Sequence, residues 1–170
     1  LSLNASGFYP HTTSRDCTLN QALSDANIHP TWLHETIQTM RAFPIRVGNI
    51  KDGDGKELGT SGACYHDQTE LTWDELGQVP ELTTVTQRVR RVFTWSHEQT
   101  VESMRANRPT LVFVNFCNYL KSVKELVRIT NSLVIASEAA AMPYPEMLFG
   151  FGPDQNKDVC DFKSAMERLA

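Results

Sequence analysis

Two short apolar segments constrain the fold of this chain more than any other feature. The first is LVFVNFC, from Leu111 to Cys117, and the second runs from Met147 to Phe151. Continuous apolar runs of this length are typical of strands that are covered on both faces. Capping-box pairs predict helices that begin at Thr72, Ser96 and Ser122. Strands that alternate with helices predict an α/β fold with a largely parallel central sheet, flanking helices and long functional loops.

The amino-terminal part of the chain has weaker local signals. Leu19 to Asn27 can form a helix, and the apolar spacing from Thr31 to Met40 predicts a second one after His29-Pro30. The alternation in Phe43 to Val47 predicts a strand. The segment from Gly48 to Gly62 contains five glycines, which indicates a long mobile loop of functional importance.

Composition narrows the class of protein. With 170 residues, 41% hydrophobic and 21% charged, the chain is expected to be globular and to form one domain or part of one. A net charge of −4 argues against a general nucleic-acid-binding surface. The chain shows no apolar run long enough to span a bilayer and no leader pattern, so we expect a soluble protein without a membrane partner. The four cysteines are far apart, which favours reduced thiols in a cytoplasm: Cys17, Cys64, Cys117 and Cys160.

The segment ELTTVTQRVRRVF, from Glu81 to Phe93, concentrates three threonines and three arginines within nine residues of an acidic chain. If Gln87 to Phe93 is extended, Arg88 and Arg90 project from one face and Arg91 from the other. Guanidinium groups bind carboxylates and phosphates through two parallel hydrogen bonds, so this pattern predicts an anion site. A solvated, charged edge strand is the alternative.

The two apolar strands end in polar or glycine-rich residues. Asn115 to Asn118 follows the first strand and GFGPD, from Gly150 to Asp154, ends the second. Ligands of parallel α/β sheets bind beyond the carboxyl ends of the strands, so both segments are candidate nucleotide contacts. A plain turn is the alternative for GFGP. The calcium-loop-like KDGDGKELG lacks the final glutamate, and the five histidines lack metal-ligand spacing, so no metal site is predicted.

The order of five motifs resembles that of the carboxyl-terminal half of adenylosuccinate synthetases, and the likeness spans nearly the whole chain. The motifs are YPHTTSRDCT, RAFPIRVGN, ELTTVTQRVRRVF, VNFCN and GFGPD. The likeness is greatest to the phage branch, which makes the precursor of 2-aminoadenine DNA. The resemblance implies the fold of that family and a Mg²⁺-dependent ligase that joins L-aspartate to C6 of a purine nucleotide.

The resemblance also implies roles for individual residues. Substrate-nucleotide contacts are expected at Thr13, Ser14, Arg15, Val47 and Gly48. Aspartate contacts are expected at Thr83, Thr84, Thr86, Arg88 and Arg90. Contacts to the phosphate donor are expected at Asn115, Asn118, Gly150, Gly152 and Pro153. The ordinary enzyme carries a guanine-reading carboxylate where this chain has Asn118, so ATP or dATP is the expected donor. The resemblance to the phage branch implies dGMP as the acceptor. The alternatives are an ordinary synthetase that uses IMP, a nucleic-acid-binding module and a noncatalytic interaction domain.

No glycine-rich phosphate loop and no paired catalytic acid and base were found among the 170 residues. In the family these groups and the Mg²⁺ ligands belong to the amino-terminal half. Residues 1–170 are therefore expected to form the carboxyl-terminal portion of one synthetase domain, inactive alone and without catalytic residues of its own. The resemblance further implies a homodimeric parent enzyme in the cytoplasm, which for a phage protein is that of the host bacterium.

Overall fold

The computed structural model describes residues 7–12 and 15–170. The helices and strands in chain order are α1 (Leu19–Ala26), β1 (Ile37–Arg41), β2 (Ile45–Arg46), β3 (Ile50–Lys51), β4 (Glu57–Gly59), β5 (Glu70–Leu71), α2 (Trp73–Leu76), β6 (Arg91–Phe93), α3 (His97–Asn107), β7 (Leu111–Asn115), α4 (Val123–Ala139), β8 (Glu146–Gly150), β9 (Val159–Cys160) and α5 (Phe162–Leu169). Single turns of 3₁₀ helix occupy Pro30–Trp32 and Cys117–Tyr119.

The main sheet has four strands in the order β1-β7-β8-β9. β7 is parallel to both β1 and β8, and only β9 is antiparallel. Both apolar segments form strands as predicted, and the α/β fold with a largely parallel sheet is confirmed. Val112 and Val114 of β7 are fully buried, because α4 covers this face of the sheet with Leu126 and Leu133. Since β1, β7 and β8 run in the same direction, their carboxyl ends meet at one edge of the sheet.

The three predicted helix starts are confirmed. The Thr72 hydroxyl accepts a hydrogen bond from the Glu75 amide, and the Glu75 carboxylate accepts one from the Thr72 amide. Ser96 and Ser122 cap α3 and α4 in the same way through their hydroxyl oxygens. Each cap satisfies an amide that would otherwise lack a partner in the first turn, which is why this local signal predicts helix starts well.

The helix predicted from Leu19 to Asn27 is confirmed, but the one predicted from Thr31 to Met40 is wrong. A single 3₁₀ turn at Pro30–Trp32 is followed by β1, which pairs along its whole length with β7. Trp32 and Ile37, two of the apolar residues behind the helix prediction, are 75% and 62% exposed. The apparent helical spacing therefore does not mark one buried face, and pairing with the central strand decides the conformation.

A second, three-stranded antiparallel sheet has the order β2-β6-β5. The strand predicted from Phe43 to Val47 is confirmed for Ile45–Arg46. The segment from Gly48 to Gly62 is not one long loop, because β3 and β4 pair within it as an antiparallel hairpin. The three-stranded sheet brings the end of the arginine-rich segment, in β6, to the carboxyl edge of the main sheet.

The four cysteines are free thiols. Burial raises the pKa of Cys117 to about 12, so its thiol stays protonated at neutral pH. Among the residues that the structure describes, no helix combines the length and apolar character needed to cross a membrane.

Candidate functional site

The carboxyl ends of β7 and β8 bring Asn115 and Gly150 side by side. A β-carbon built on Gly150 would lie 2.8 Å from the Asn115 side-chain oxygen and 2.9 Å from the Phe113 ring. Contacts this short exclude a larger residue unless its neighbours move. Two predicted nucleotide contacts from separate motifs are therefore adjacent in the fold, and the side chains of Asn115 and Phe113 pack on the buried Gly150 backbone.

Residues 116–119, which we call the β7 turn, follow directly. Phe116 has a positive φ of 62°, and Asn118 is exposed on the 3₁₀ turn behind it. The Arg41 guanidinium lies over the Phe116 ring at 3.4 Å from its centroid. This stacking supports a backbone conformation that is uncommon for a bulky residue, and it leaves Asn118 accessible to a ligand.

Gly152 and Pro153 are exposed in the turn after β8. A β-carbon on Gly152 would overlap the Asp158 carboxylate, which accepts a hydrogen bond of 3.0 Å from the Asp154 amide. The turn itself therefore requires glycine at this position. The role of Gly152 and Pro153 in holding a nucleotide stays a prediction.

Residues 81–90 form a tight antiparallel loop, which we call the arginine hairpin. The Arg88 carbonyl accepts from the Thr83 amide at 2.8 Å, and Leu82 and Val89 form an isolated β-bridge. Gln87 has a positive φ of 51°, so the extended segment begins at Arg88 rather than at Gln87. Arg88 is exposed and Arg90 is half-buried, and their common orientation stays a prediction.

The threonine hydroxyls of the arginine hairpin are partly used within it. The Thr83 and Thr86 oxygens lie 2.6 Å apart, and Thr83 accepts from the Arg88 amide at 3.0 Å. Thr83 is buried, whereas Thr84 and Thr86 are exposed. Thr83 therefore shapes the loop that presents Arg88, and contact of any of the three with aspartate stays a prediction.

The structure divides the three arginines into two groups. The Arg91 guanidinium donates to both Glu70 carboxylate oxygens at 2.7 and 2.6 Å and also to the Gly62 carbonyl. The hydrogen bonds that Arg91 donates to Glu70 raise the pKa of Arg91 and use the donor groups of its guanidinium. Arg90 makes one long hydrogen bond of 3.3 Å to the Leu82 carbonyl. Arg88 is exposed, so Arg88 and Arg90 are the arginines of the hairpin that can take a dicarboxylate.

Gly48 packs directly against the arginine hairpin. A β-carbon at this position would overlap the Val89 carbonyl oxygen and lie 3.2 Å from the Arg88 β-carbon. The predicted nucleotide contact and the predicted aspartate loop are therefore in van der Waals contact. Only glycine allows this approach, since the clashing atom belongs to backbone and cannot rotate away.

We expect Gly48→Ala to reduce the free energy of unfolding by about 1–3 kcal/mol, because the added methyl group must displace the Val89 backbone. The measurement is chemical denaturation of both proteins. Gly53→Ala is the matched control, since a β-carbon there meets no atom within 4 Å and should cost nothing. Equal stability of the two variants would show that the hairpin does not pack on Gly48 in solution.

A cavity of about 930 Å³ follows β1 and opens at the carboxyl edge of the main sheet. Three of the predicted site residues line it, each from a different motif: Val47, Arg90 and Asn115. Thr12, which precedes the predicted substrate-nucleotide contacts in the chain, also lines this cavity. Thr13 and Ser14 lie outside the described residues. Arg15 does not line the cavity, and its guanidinium forms an ion pair of 3.0 Å with Asp25 of α1.

Two arginines of the motif RAFPIRVGN that were not singled out from the sequence, Arg41 and Arg46, line the same cavity. The Arg46 guanidinium donates to the Ser61 carbonyl at 2.9 Å. Burial, and then the charge of Arg91, lower the pKa of Arg46. The available signal was that these two arginines flank the apolar run from Ala42 to Ile45.

The residues 7–12 and 15–170 contain no group of three histidine, cysteine or acidic side chains that could hold a metal ion. The described part of the chain therefore does not fit the Mg²⁺ that the family resemblance implies.

No protein-family model matches the chain, but individual proteins are similar to it. The chain is 46% identical over 138 residues to the N6-succino-2-amino-2'-deoxyadenylate synthase of Acinetobacter phage SH-Ab 15497, covering 81% of this chain and 35% of that protein. It is 33% identical over 125 residues to the adenylosuccinate synthetase of Pyrococcus sp. (strain ST700), covering 74% of this chain and 32% of that one.

One solved structure is similar along almost the whole chain. The Cyanophage S-2L succinoaminodeoxyadenylate synthetase, described as bound to dGMP and to dATP as an energy donor, superposes with a TM-score of 0.80 and 30% identity over 99% of this chain. The chain spans 47% of that protein, so it corresponds to about a third to a half of the relatives it matches. The order of motifs, the fold and these similarities agree: the chain belongs to the adenylosuccinate synthetase family, with its greater similarity toward the phage N6-succino-2-amino-2'-deoxyadenylate synthases.

Proposed function

We propose that this chain is the aspartate-binding and base-binding part of a ligase that joins L-aspartate to C6 of dGMP at the expense of ATP or dATP. The observation that carries the proposal is the convergence of Arg90, Val47 and Asn115 on one cavity at the carboxyl edge of the sheet. Guanidinium groups fit the two carboxylates of aspartate, and the side-chain amide of Asn115 offers a donor and an acceptor to a purine base. The names of the phage relatives agree with this product.

The proposed reaction proceeds in two steps. The purine 6-oxygen attacks the terminal phosphorus of the nucleoside triphosphate, the bond from that phosphorus to the bridging oxygen breaks, and the nucleoside diphosphate leaves. The aspartate amino group then forms the C6–N bond and loses a proton, the C6–O bond breaks, and inorganic phosphate leaves with the electron pair. The role of this chain is to hold the aspartate carboxylates on Arg88 and Arg90, so that the amine faces C6 in a reactive geometry.

We further propose that the remaining machinery lies in the portion of the relatives that these 170 residues do not span. It comprises the phosphate loop, the acid and base that activate the purine oxygen, and the Mg²⁺ ligands. We assign the reaction to the cytoplasm, where its substrates are present. The homodimer and the absence of nucleic-acid binding stay predictions.

The proposal is tested by incubating the full-length protein that contains this chain with dGMP, aspartate and ATP and following the succinyl purine by absorbance and mass spectrometry. Replacing dGMP by IMP separates the phage-type activity from that of an ordinary synthetase. Absence of product from both purines would refute the ligase assignment. Tight DNA binding that weakens steeply with salt would instead support the nucleic-acid alternative.

We expect Asn118→Asp to shift the donor preference of the full-length enzyme from ATP toward GTP. A carboxylate accepts hydrogen bonds from N1 and N2 of guanine but offers no donor to the ring nitrogen of adenine. Asn118 is exposed on the β7 turn, so the change should not disturb the core. The measurement is kcat/KM for each triphosphate, with Asn156→Asp, in the turn after β8, as a control of equal charge change. An unchanged ratio would remove the β7 turn from base recognition.

A further inference from the structure

Glu81 at the start of the arginine hairpin makes contacts that no site prediction included. One Glu81 carboxylate oxygen accepts from the Arg41 guanidinium at 2.5 Å and also from the Tyr119 hydroxyl at 3.1 Å. The other oxygen accepts from Arg41 at 3.3 Å. The Arg41 and Glu81 side chains are only 20% and 24% exposed, so this pair is shielded from the screening that makes surface ion pairs weak.

The same contacts reach the β7 turn through two of its residues. Tyr119 ends the 3₁₀ turn that carries Asn118, and its ring lies 5.4 Å from that of Phe116. The Arg41 guanidinium stacks over the Phe116 ring, at the other end of the β7 turn. Burial, and then the charge of Glu81, raise the pKa of Tyr119, so the phenol remains a hydrogen-bond donor at neutral pH. The Glu81 carboxylate is thus bonded directly to Tyr119 at one end of the β7 turn and is linked through Arg41 to Phe116 at the other end.

The main chain of Glu81 points the other way, into the arginine hairpin. Its carbonyl accepts from the Arg90 amide at 2.8 Å, and this hydrogen bond closes the base of the hairpin. The adjacent Leu82 carbonyl accepts from the Arg90 guanidinium at 3.3 Å. Glu81 therefore contacts the β7 turn through its side chain and the backbone of Arg90 through its main chain.

We propose that Glu81 is a positioning residue that couples occupancy of the β7 turn by the donor nucleotide to the orientation of Arg90 in the aspartate site. The inference deepens the proposed function and rests on its assignment of these two sites. The coupling runs from Tyr119 and the Arg41–Phe116 stack, through the Glu81 carboxylate, to the Glu81 carbonyl and the Arg90 amide. Chains of packed side chains and hydrogen bonds between two sites can carry such coupling.

The kinetic test uses the full-length protein with Glu81→Gln, Tyr119→Phe and the double variant. Glu81→Gln should raise the aspartate KM about tenfold at saturating ATP, within the range of typical coupling energies, and change kcat less. The effects of the two changes should not add, because both remove the same connection. Tyr144→Phe is the matched control, since it removes a tyrosine-to-glutamate hydrogen bond of 2.7 Å to exposed Glu138, outside both sites.

Hydrogen exchange gives a readout that does not need turnover. ATP should protect the Arg90 amide in the wild-type protein and protect it less in Glu81→Gln and Tyr119→Phe. Protection without product would preserve the coupling and refute the ligase assignment. The coupling is overturned if ATP leaves the hairpin amides unprotected in the wild type. It is also overturned if the variants lower only the melting temperature and keep the aspartate KM.

Discussion

Residues 1–170 alone are expected to form no detectable succinyl purine from dGMP, aspartate and ATP, whereas the full-length protein forms it readily. General acid and base groups contribute about 10² to 10⁴-fold each, and without them the purine 6-oxygen remains a poor leaving group. The measurement is product formation at equal molar concentrations of the two proteins.

Folding of the short chain must be verified beside this comparison, since an unfolded sample would also be inactive. Circular dichroism and a cooperative thermal transition establish that control. Product from the folded 170-residue chain at a rate near that of the full-length protein would show that the activating groups lie within it. The proposal that the activating groups lie outside these 170 residues would then be wrong.

Arg90→Lys is expected to raise the aspartate KM of the full-length enzyme by about tenfold or more. An ammonium is a point charge that cannot reproduce two parallel hydrogen bonds to a carboxylate, and a charge-assisted hydrogen bond contributes about 1.5–3 kcal/mol. Arg90 is free to make them because its guanidinium has one long contact, at 3.3 Å to the Leu82 carbonyl. The measurement is steady-state kinetics with aspartate as the varied substrate.

Arg105→Lys is the matched control for this change. Arg105 is an exposed arginine of α3 that also donates at 3.3 Å to a backbone carbonyl, that of Ala139, and it does not line the cavity beside β1. Its replacement should leave the aspartate KM unchanged. An equal effect of the two replacements, or no effect of Arg90→Lys, would exclude the arginine hairpin as the aspartate site.

Local signals in the sequence were enough to predict much of the fold. The apolar segments became β7 and β8, and the capping residues Thr72, Ser96 and Ser122 begin helices. These features depend on a few neighbouring residues, so they can be read without the rest of the molecule. The helix prediction from Thr31 to Met40 was wrong because it used only neighbouring residues. Pairing with β7, which lies far away in the chain, decides that this segment contains a strand.

The sequence by itself determined the family and the residue types of the candidate site: arginines for a dicarboxylate, and asparagine and glycine at strand ends for a nucleotide. Only the tertiary structure decided how those residues are used. It assigned Arg91 to Glu70 and left Arg88 and Arg90 for a ligand. It also connected Glu81 to the β7 turn. Hydrogen bonds between residues 21 to 40 positions apart depend on how the sheets pack together, and no local pattern in the chain encodes that packing.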